Sequence, residues 1–325
     1  RRIPLLVISP KLPVSSDIGN TRGSLVGACR GFQQTIPSDR EKDEHPTLDH
    51  FELIKPRISL AVYPAFADDG RSACAGLPSQ AALTTALQAA VANTGNGGLG
   101  FNMWASLVAN DGTVCAVAFS GNQYTDQWLG SRVISAQKAN TANDFSLSNG
   151  ATPGTRLFPT GLALSTANLY SAVQPGGSLY GLQHSNPVDP EIAYQGKAML
   201  FGTAADPLVG QRVGGVNVFG GGLALYVNGG KKVGGVGVSG DQSCTDHFVA
   251  WRVRNALNLD HLGTLGVVPG ADAQHPDNII FDINPVSEGG LLDPVGTLSQ
   301  SASGFGHPTC VNTNLNTTSL PAVKQ

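Results

Sequence analysis

Residues Lys232 to Leu257, KVGGVGVSGDQSCTDHFVAWRVRNAL, leave this chain few ways to fold. Val233, Val236 and Val238 alternate with Gly234, Gly235 and Gly237, and so much glycine weakens a strand unless something must approach its backbone closely. That something is either a flat ligand or a packed helix. After Ser239-Gly240-Asp241 the hydrophobic period changes from 2 to 3.6, and Val249, Val253, Ala256 and Leu257 form the apolar stripe of a core-facing helix. Ser243 and Asp246 have the spacing of a capping box. A glycine-rich strand, a polar turn and an amphipathic helix follow one another, and the turn is the candidate ligand site.

The same plan is legible earlier in the chain. Ser79 predicts the N-cap of a helix whose apolar face is Leu83, Leu87, Ala90 and Val91, ending at Gly95. Phe101 to Ala109 reads as a strand, Asn110-Asp111-Gly112 as a hairpin turn, Thr113 to Phe119 as the partner strand, and Trp128 to Phe145 as a helix. A second hairpin runs from Leu223 to Val227 through Asn228-Gly229-Gly230 into the glycine-rich strand. Ser120-Gly121-Asn122-Gln123 parallels Ser239-Gly240-Asp241-Gln242. Thr125-Asp126, with Arg132-Val133 after it, parallels Thr245-Asp246 and Arg252-Val253, 120 residues on. Internal duplication and a shared turn-to-helix solution both account for the echo.

The stretch VGGVGVSGDQSCTDHFVAWRV resembles the closing signature of the GlcG/HbpS-like family, which includes the haem-binding C-terminal domain of PduO. There the pattern is VGAIGVSGG, a few polar residues, QDE, then a helix. Thr245-Asp246-His247 stands where Gln-Asp-Glu is expected, so the chain departs from the family pattern at the glutamate. Ser135-Ala136-Gln137-Lys138-Ala139 is similar to the family's alanine-rich KAxTA helix, and the likeness reaches back to about Leu77. It implies an α/β, profilin-like domain, an antiparallel sheet packed by helices, with N- and C-terminal elaborations. It also implies binding of haem or a related planar molecule, and some relatives are associated with haem degradation and with sensing.

On these grounds the expected organisation is an N-terminal extension over 1–76, a family domain over 77–265 and an irregular tail over 266–325. The domain carries a Gly-, Pro- and Asn-rich insertion near 146–211 around one helix, Leu162 to Val173. So long an insertion serves as a binding wall or an oligomer contact more often than as a spacer. The tail is expected to wrap its own domain or a neighbour, with Asn278 to Ile283 a short strand and His307-Pro308-Thr309-Cys310 an anchoring point. In the extension, Ile3 to Ser9 and Leu60 to Tyr63 read as strands. The charged run between them, with His45 and His50, reads as a solvated arm.

Charged residues make up only 13% of the chain and the net charge is -3, which gives no electrostatic case for nucleic acid or an anionic membrane. No apolar run is long enough for a membrane span. Low charge, 41 glycines, 20 prolines and a start without methionine or signal core fit a periplasmic or secreted mature form, or a truncated one. Five cysteines (Cys29, Cys74, Cys115, Cys244, Cys310) lack CxxC or CxxCH spacing, so neither a zinc knuckle nor covalent haem attachment is supported. One or two disulfides are expected, and buried free thiols are the alternative.

Candidate ligand-binding residues are Gly240, Asp241, Thr245, Asp246 and His247 of the turn, with Lys138 and His184 approaching it. His247 falls in a helical first turn, where unsatisfied N–H groups disfavour protonation, so a neutral imidazole is on offer to haem iron. The helix N-terminus beside it suits a propionate. Asp246 has a second role open to it, as a helix cap. The glycines at 214–215 and 220–222 lack the GK[ST] ending of a phosphate loop. No GxSxG elbow supports a hydrolase. Binding is therefore favoured over catalysis, with a structural homo-oligomer subunit as the alternative and an enzyme on a small hydroxy acid or on haem a weaker one.

Overall fold

The computed structural model describes residues 72–152, 156–284 and 300–325. The expected strands at Ile3 to Ser9 and Leu60 to Tyr63, the arm with His45 and His50, and Cys29 lie outside them.

Helix α1 (Gln80–Val91) starts where the sequence places it, with the Ser79 hydroxyl accepting from the Ala82 amide. Strands β1 (Trp104–Ala109) and β2 (Val114–Phe119) form the first hairpin, and α2 (Ser131–Asp144) follows. The insertion carries two one-turn helices, α3 (Leu182–Ser185) and α4 (Pro190–Ala193). Strands β3 (Gly222–Val227) and β4 (Lys231–Ser239) form the second hairpin, and α5 (Ser243–Ala256) completes the plan. The strands form one antiparallel sheet in the order β2-β1-β4-β3, so the hairpins join through their β1 and β4 edges. Trp104 pairs with Phe119 on one side and Ser239 on the other, placing the two echoed turns at one end of the sheet.

Alternation along the strands assigns the two faces. Trp104, Val108 and Val117 pack with Val133, Ala136 and Ala139 of α2. Ala105, Leu107, Val236 and Val238 pack with Leu83 and Leu87 of α1 and Phe248, Val249 and Val253 of α5. The close approach implied by the glycines of β4 is made by a helix. A Cβ at Gly237 would run into the Ser135 carbonyl oxygen, and one at Gly235 into that of Ala139. Both carbonyls belong to α2, so α2 lies on the bare backbone of β4.

The insertion and the turn before α5 depart from the sequence expectations. The insertion between Leu162 and Val173 forms two short 3-10 turns, Thr166–Leu169 and Ser171–Val173, and no α-helix. Its apolar spacing is served by tertiary packing of Leu169 and Val173 against Val218. The Ser243/Asp246 capping box does not form either. Gln242 is the N-cap, and the Asp246 carboxylate reaches back to the Asp241 amide at 3.0 Å. In the echoed turn Asp126 accepts from the amides of Asn122 and Gln123 at 2.8 and 2.9 Å. The repeated Thr-Asp thus closes a strand-to-helix turn in both places.

Buried Arg132 holds the insertion to α2 through Asp206, with Nε donating at 2.9 Å. The tail returns across α5. Cys310 is disulfide-bonded to Cys244, the Trp251 indole donates to the Pro321 carbonyl at 2.8 Å, and Lys324 pairs with Asp260 at 2.8 Å. A second disulfide, Cys74–Cys115, ties the segment before α1 to β2. The tail's expected strand is shorter and later than predicted, Ile283–Asn284, paired with Gln300–Ser301.

Candidate functional site

At the end of the sheet where both turns lie, a cavity of about 630 Å3 opens between α2, the start of α5, the insertion and the tail. That volume is in the range of small-molecule sites, about 300–1,000 Å3. Trp128, Ile134, Tyr170 and Phe219 give it apolar walls, and Ser239, Gln242 and Ser243 give it polar ones. Lys138, Asp246 and His307 also line it, and all three are buried.

Lys138 projects from α2 past the glycines that precede β3. Its ammonium donates to the Asp246 carboxylate at 2.7 Å and to the Val238 carbonyl at 3.1 Å. A Cβ at Gly221 would stand 2.9 Å from Asp246 Cβ and 3.2 Å from Lys138 Nζ, so only glycine leaves the passage open. Burial pushes the Asp246 carboxyl up to about 6, against the pull of Lys138 and the Asp241 amide. Burial likewise lowers the pKa of Lys138, with Asp246 opposing it. The family-like helix Ser135 to Ala139 and the family-like turn therefore meet in one buried ion pair.

His307 comes from the tail. Its Nδ1 lies 2.7 Å from the Pro308 carbonyl, the geometry of a donated N–H, which leaves Nε2 as the lone-pair nitrogen. Nε2 is buried and has no hydrogen-bond partner. Burial pushes the His307 pKa down to about 4, with the Lys138 charge adding to the effect, so the ring is neutral at physiological pH. Tyr170 lies against it, with ring centroids 4.9 Å apart.

The other predicted residues divide. Asp241 lines the cavity, yet its carboxylate is committed to the Leu99, Phe101 and Gln242 amides and so shapes the loop before β1. Thr245 faces that loop and a second, smaller cavity of about 360 Å3. Gly240 backs onto Asn102 and Met103. His184 is exposed on α3 and is not among the cavity residues. His247 is fully buried beneath the tail, its Nε2 3.1 Å from Asn278 Oδ1, and it too is absent from the cavity wall. Burial pushes its pKa down to about 3, so the ring is neutral through desolvation, where the sequence expectation placed the cause in the helical first turn. The sequence marks His307 as an anchoring point and does not place it in the cavity wall, where the structure puts it. Its one signal was a histidine three residues before Cys310, which means little until Cys244 is known to be the partner.

An antiparallel sheet between helical layers, with a cavity of small-molecule size where its two strand-to-helix turns converge, defines the domain as α/β. The family model described as "Haem degrading protein HbpS-like" matches residues 79–254, more than half of the chain, and the chain belongs to that family. Among solved structures it is similar to Klebsiella pneumoniae protein ORFY, at 22% identity over 55% of this chain and 90% of that one, with a TM-score of 0.33. It is similar to the protein of a PduOC:heme complex, at 23% identity over 56% and 95%, with a TM-score of 0.35. HbpS is similar at 16% identity over 55% and 89%, with a TM-score of 0.31. No curated protein sequence matches.

Proposed function

We propose that the cavity binds haem or a related planar, carboxylate-bearing molecule, with His307 as the nitrogen donor. The observation that carries this is the unpartnered, buried Nε2 of a neutral imidazole in the wall of an aromatic-lined cavity. A buried polar atom without a partner is costly unless a ligand satisfies it. The donor set fits the group the family description implies. Trp128, Tyr170 and Phe219 suit the faces and edges of a flat apolar ring system, and Ser239, Gln242, Ser243 and the first turn of α5 suit its carboxylates. Bound haem would supply an iron centre open to a histidine nitrogen. Lys138 and Asp246 hold the two helices that frame the site, and Asp241 holds its loop.

Titration of the oxidised protein with haemin tests this. The wild type should give a protein-bound Soret band. His307→Ala should shift that band and weaken binding by about tenfold or more. His247→Ala should leave the band position alone. Absence of a bound Soret band in the wild type would end the proposal, and a shift in His247→Ala without one in His307→Ala would transfer the ligand role back to His247.

An extracytoplasmic location goes with this function, supported by the two disulfides. No helix among the described residues is long and apolar enough to cross a membrane. A homo-oligomer is favoured by one observation, the exposure of Trp128, Leu129, Phe219 and Val311 on this end of the domain. Light scattering tests it, and a monomer mass at micromolar concentration would rule it out.

A further inference from the structure

Cys244, Cys310 and His307 each offer a ligand atom, and these atoms lie within 4.8 Å of one another. In the oxidised chain the two sulfurs are bonded to each other, and His307 Nε2 has no partner. We propose that reduction of Cys244–Cys310 turns this wall of the cavity into a Cys2His site for a borderline-soft divalent cation of the Zn2+ class.

Three observations carry it. The chemistry of the donors comes first, because two thiolates and an imidazole are a ligand set that Zn2+ selects, at bond lengths of about 2.0–2.3 Å that a cluster this tight reaches by small side-chain movements. The second is the scaffold, which holds the three residues together without the S–S bond. Before His307, the Ser171 hydroxyl donates to the Gly306 carbonyl at 2.5 Å, and the His307 amide donates to the Ile280 carbonyl at 2.8 Å. After Cys310, the Val311 amide donates to Gln242 Oε1 at 2.7 Å, and Asn312 exchanges bonds with Gly98 at 2.9 and 3.0 Å. The third is placement. Cys244 stands in the first turn of the 14-residue helix α5, where free amides and the helix field favour a thiolate. Cys310 and His307 both line the cavity, so a fourth coordination position opens onto it. Three protein ligands and one open position are the arrangement of catalytic rather than structural zinc.

The chemistry balances with a dithiol as reductant. The dithiol gives two electrons and two protons to the Cys244–Cys310 bond and closes to its own disulfide. The ion then takes two thiolates and displaces two protons. The cation site belongs to the reduced chain and the haem site to the oxidised one. His307 serves both, so the redox state of one cysteine pair decides which ligand it can meet. Failure of one test leaves the other intact, because they use different forms of the protein.

The experiment is anaerobic reduction with dithiothreitol, desalting, and titration with Zn2+ against a chromophoric chelator, with Co2+ as a parallel spectroscopic probe. The reduced protein should bind one Zn2+ per chain, and the oxidised protein none. Co2+ should give thiolate charge-transfer bands and the intense visible bands of a four-coordinate ion. His307→Ala should weaken Zn2+ by at least about tenfold. A Cys74→Ser/Cys115→Ser variant should keep the site. Binding by the oxidised chain, an unchanged affinity in His307→Ala, or loss of binding in Cys74→Ser/Cys115→Ser with the fold retained would each overturn the proposal. So would loss of the circular dichroism spectrum on reduction, since the scaffold is required to hold without the S–S bond.

Discussion

Lys138 and Asp246 meet at 2.7 Å although 108 residues separate them, and neither side chain is more than 3% exposed. Each belongs to the helix that follows one hairpin, so the pair fastens α2 to α5 past the end of the sheet. Removing one partner of a buried pair leaves the other uncompensated and costs about 3–5 kcal/mol, whereas removing both in favour of apolar groups is close to neutral. Lys138→Met should therefore lower the stability by that order. Lys138→Met/Asp246→Leu should be more stable than Lys138→Met alone. Urea unfolding of the single and double variants measures the difference.

Gly237 supports α2 directly. A Cβ there would meet the Ser135 carbonyl oxygen and, at 2.5 Å, the Ala139 nitrogen, both backbone atoms that cannot turn aside. Overpacking of this kind costs about 1–3 kcal/mol, occasionally more. Gly237→Ala should lie at the top of that range or fail to fold. Gly130→Ala, with nothing within 4 Å and φ of -62°, should be neutral or slightly stabilising. Thermal melts of the two variants make the comparison.

The disulfides close loops of 41 and 66 residues. Chain-entropy estimates put each at about 4 kcal/mol, with measured values typically about 2–4. Cys74→Ser/Cys115→Ser should lower stability by that order. A thiol assay on the denatured wild type without reductant should detect no more than one reactive group, since four of the five cysteines are paired.

His247 makes the fold sensitive to acid. Burial holds its pKa down at about 3 against an ordinary 6.5, so the folded state binds its proton less readily than the unfolded chain. Its contribution is complete above about pH 6.5 and is lost as pH falls towards about 3. His307, lowered to about 4, acts in the same direction. Asp246, raised to about 6, acts oppositely, because its protonated form is favoured in the fold. Between pH 7 and 4, His247→Gln should lose less stability than the wild type. Equal pH slopes for the two would contradict this account.

The α/β architecture, the two hairpins, α1, α2 and α5, and the membership of the HbpS-like family were legible in the sequence. Local patterns carry that information: period 2 giving way to 3.6 after Ser239, Asn110-Asp111-Gly112 at a turn, and Ser79 before an apolar stripe. The crowding of glycine in β4 told of a close neighbour but could not say which, since a helix backbone and a flat ligand ask for the same missing Cβ. Tertiary structure decided that it is α2. It also decided what spacing along one segment cannot contain. Asp246 turns from a local cap towards Lys138, Leu162 to Val173 gives up its helix for packing contacts, and His247 disappears beneath Asn278. Cys310, bound to Cys244, brings His307 into the cavity wall from 60 residues beyond His247. The cavity wall is made of side chains that converge in space, and their convergence here depends on a tail whose own sequence has no periodicity to read.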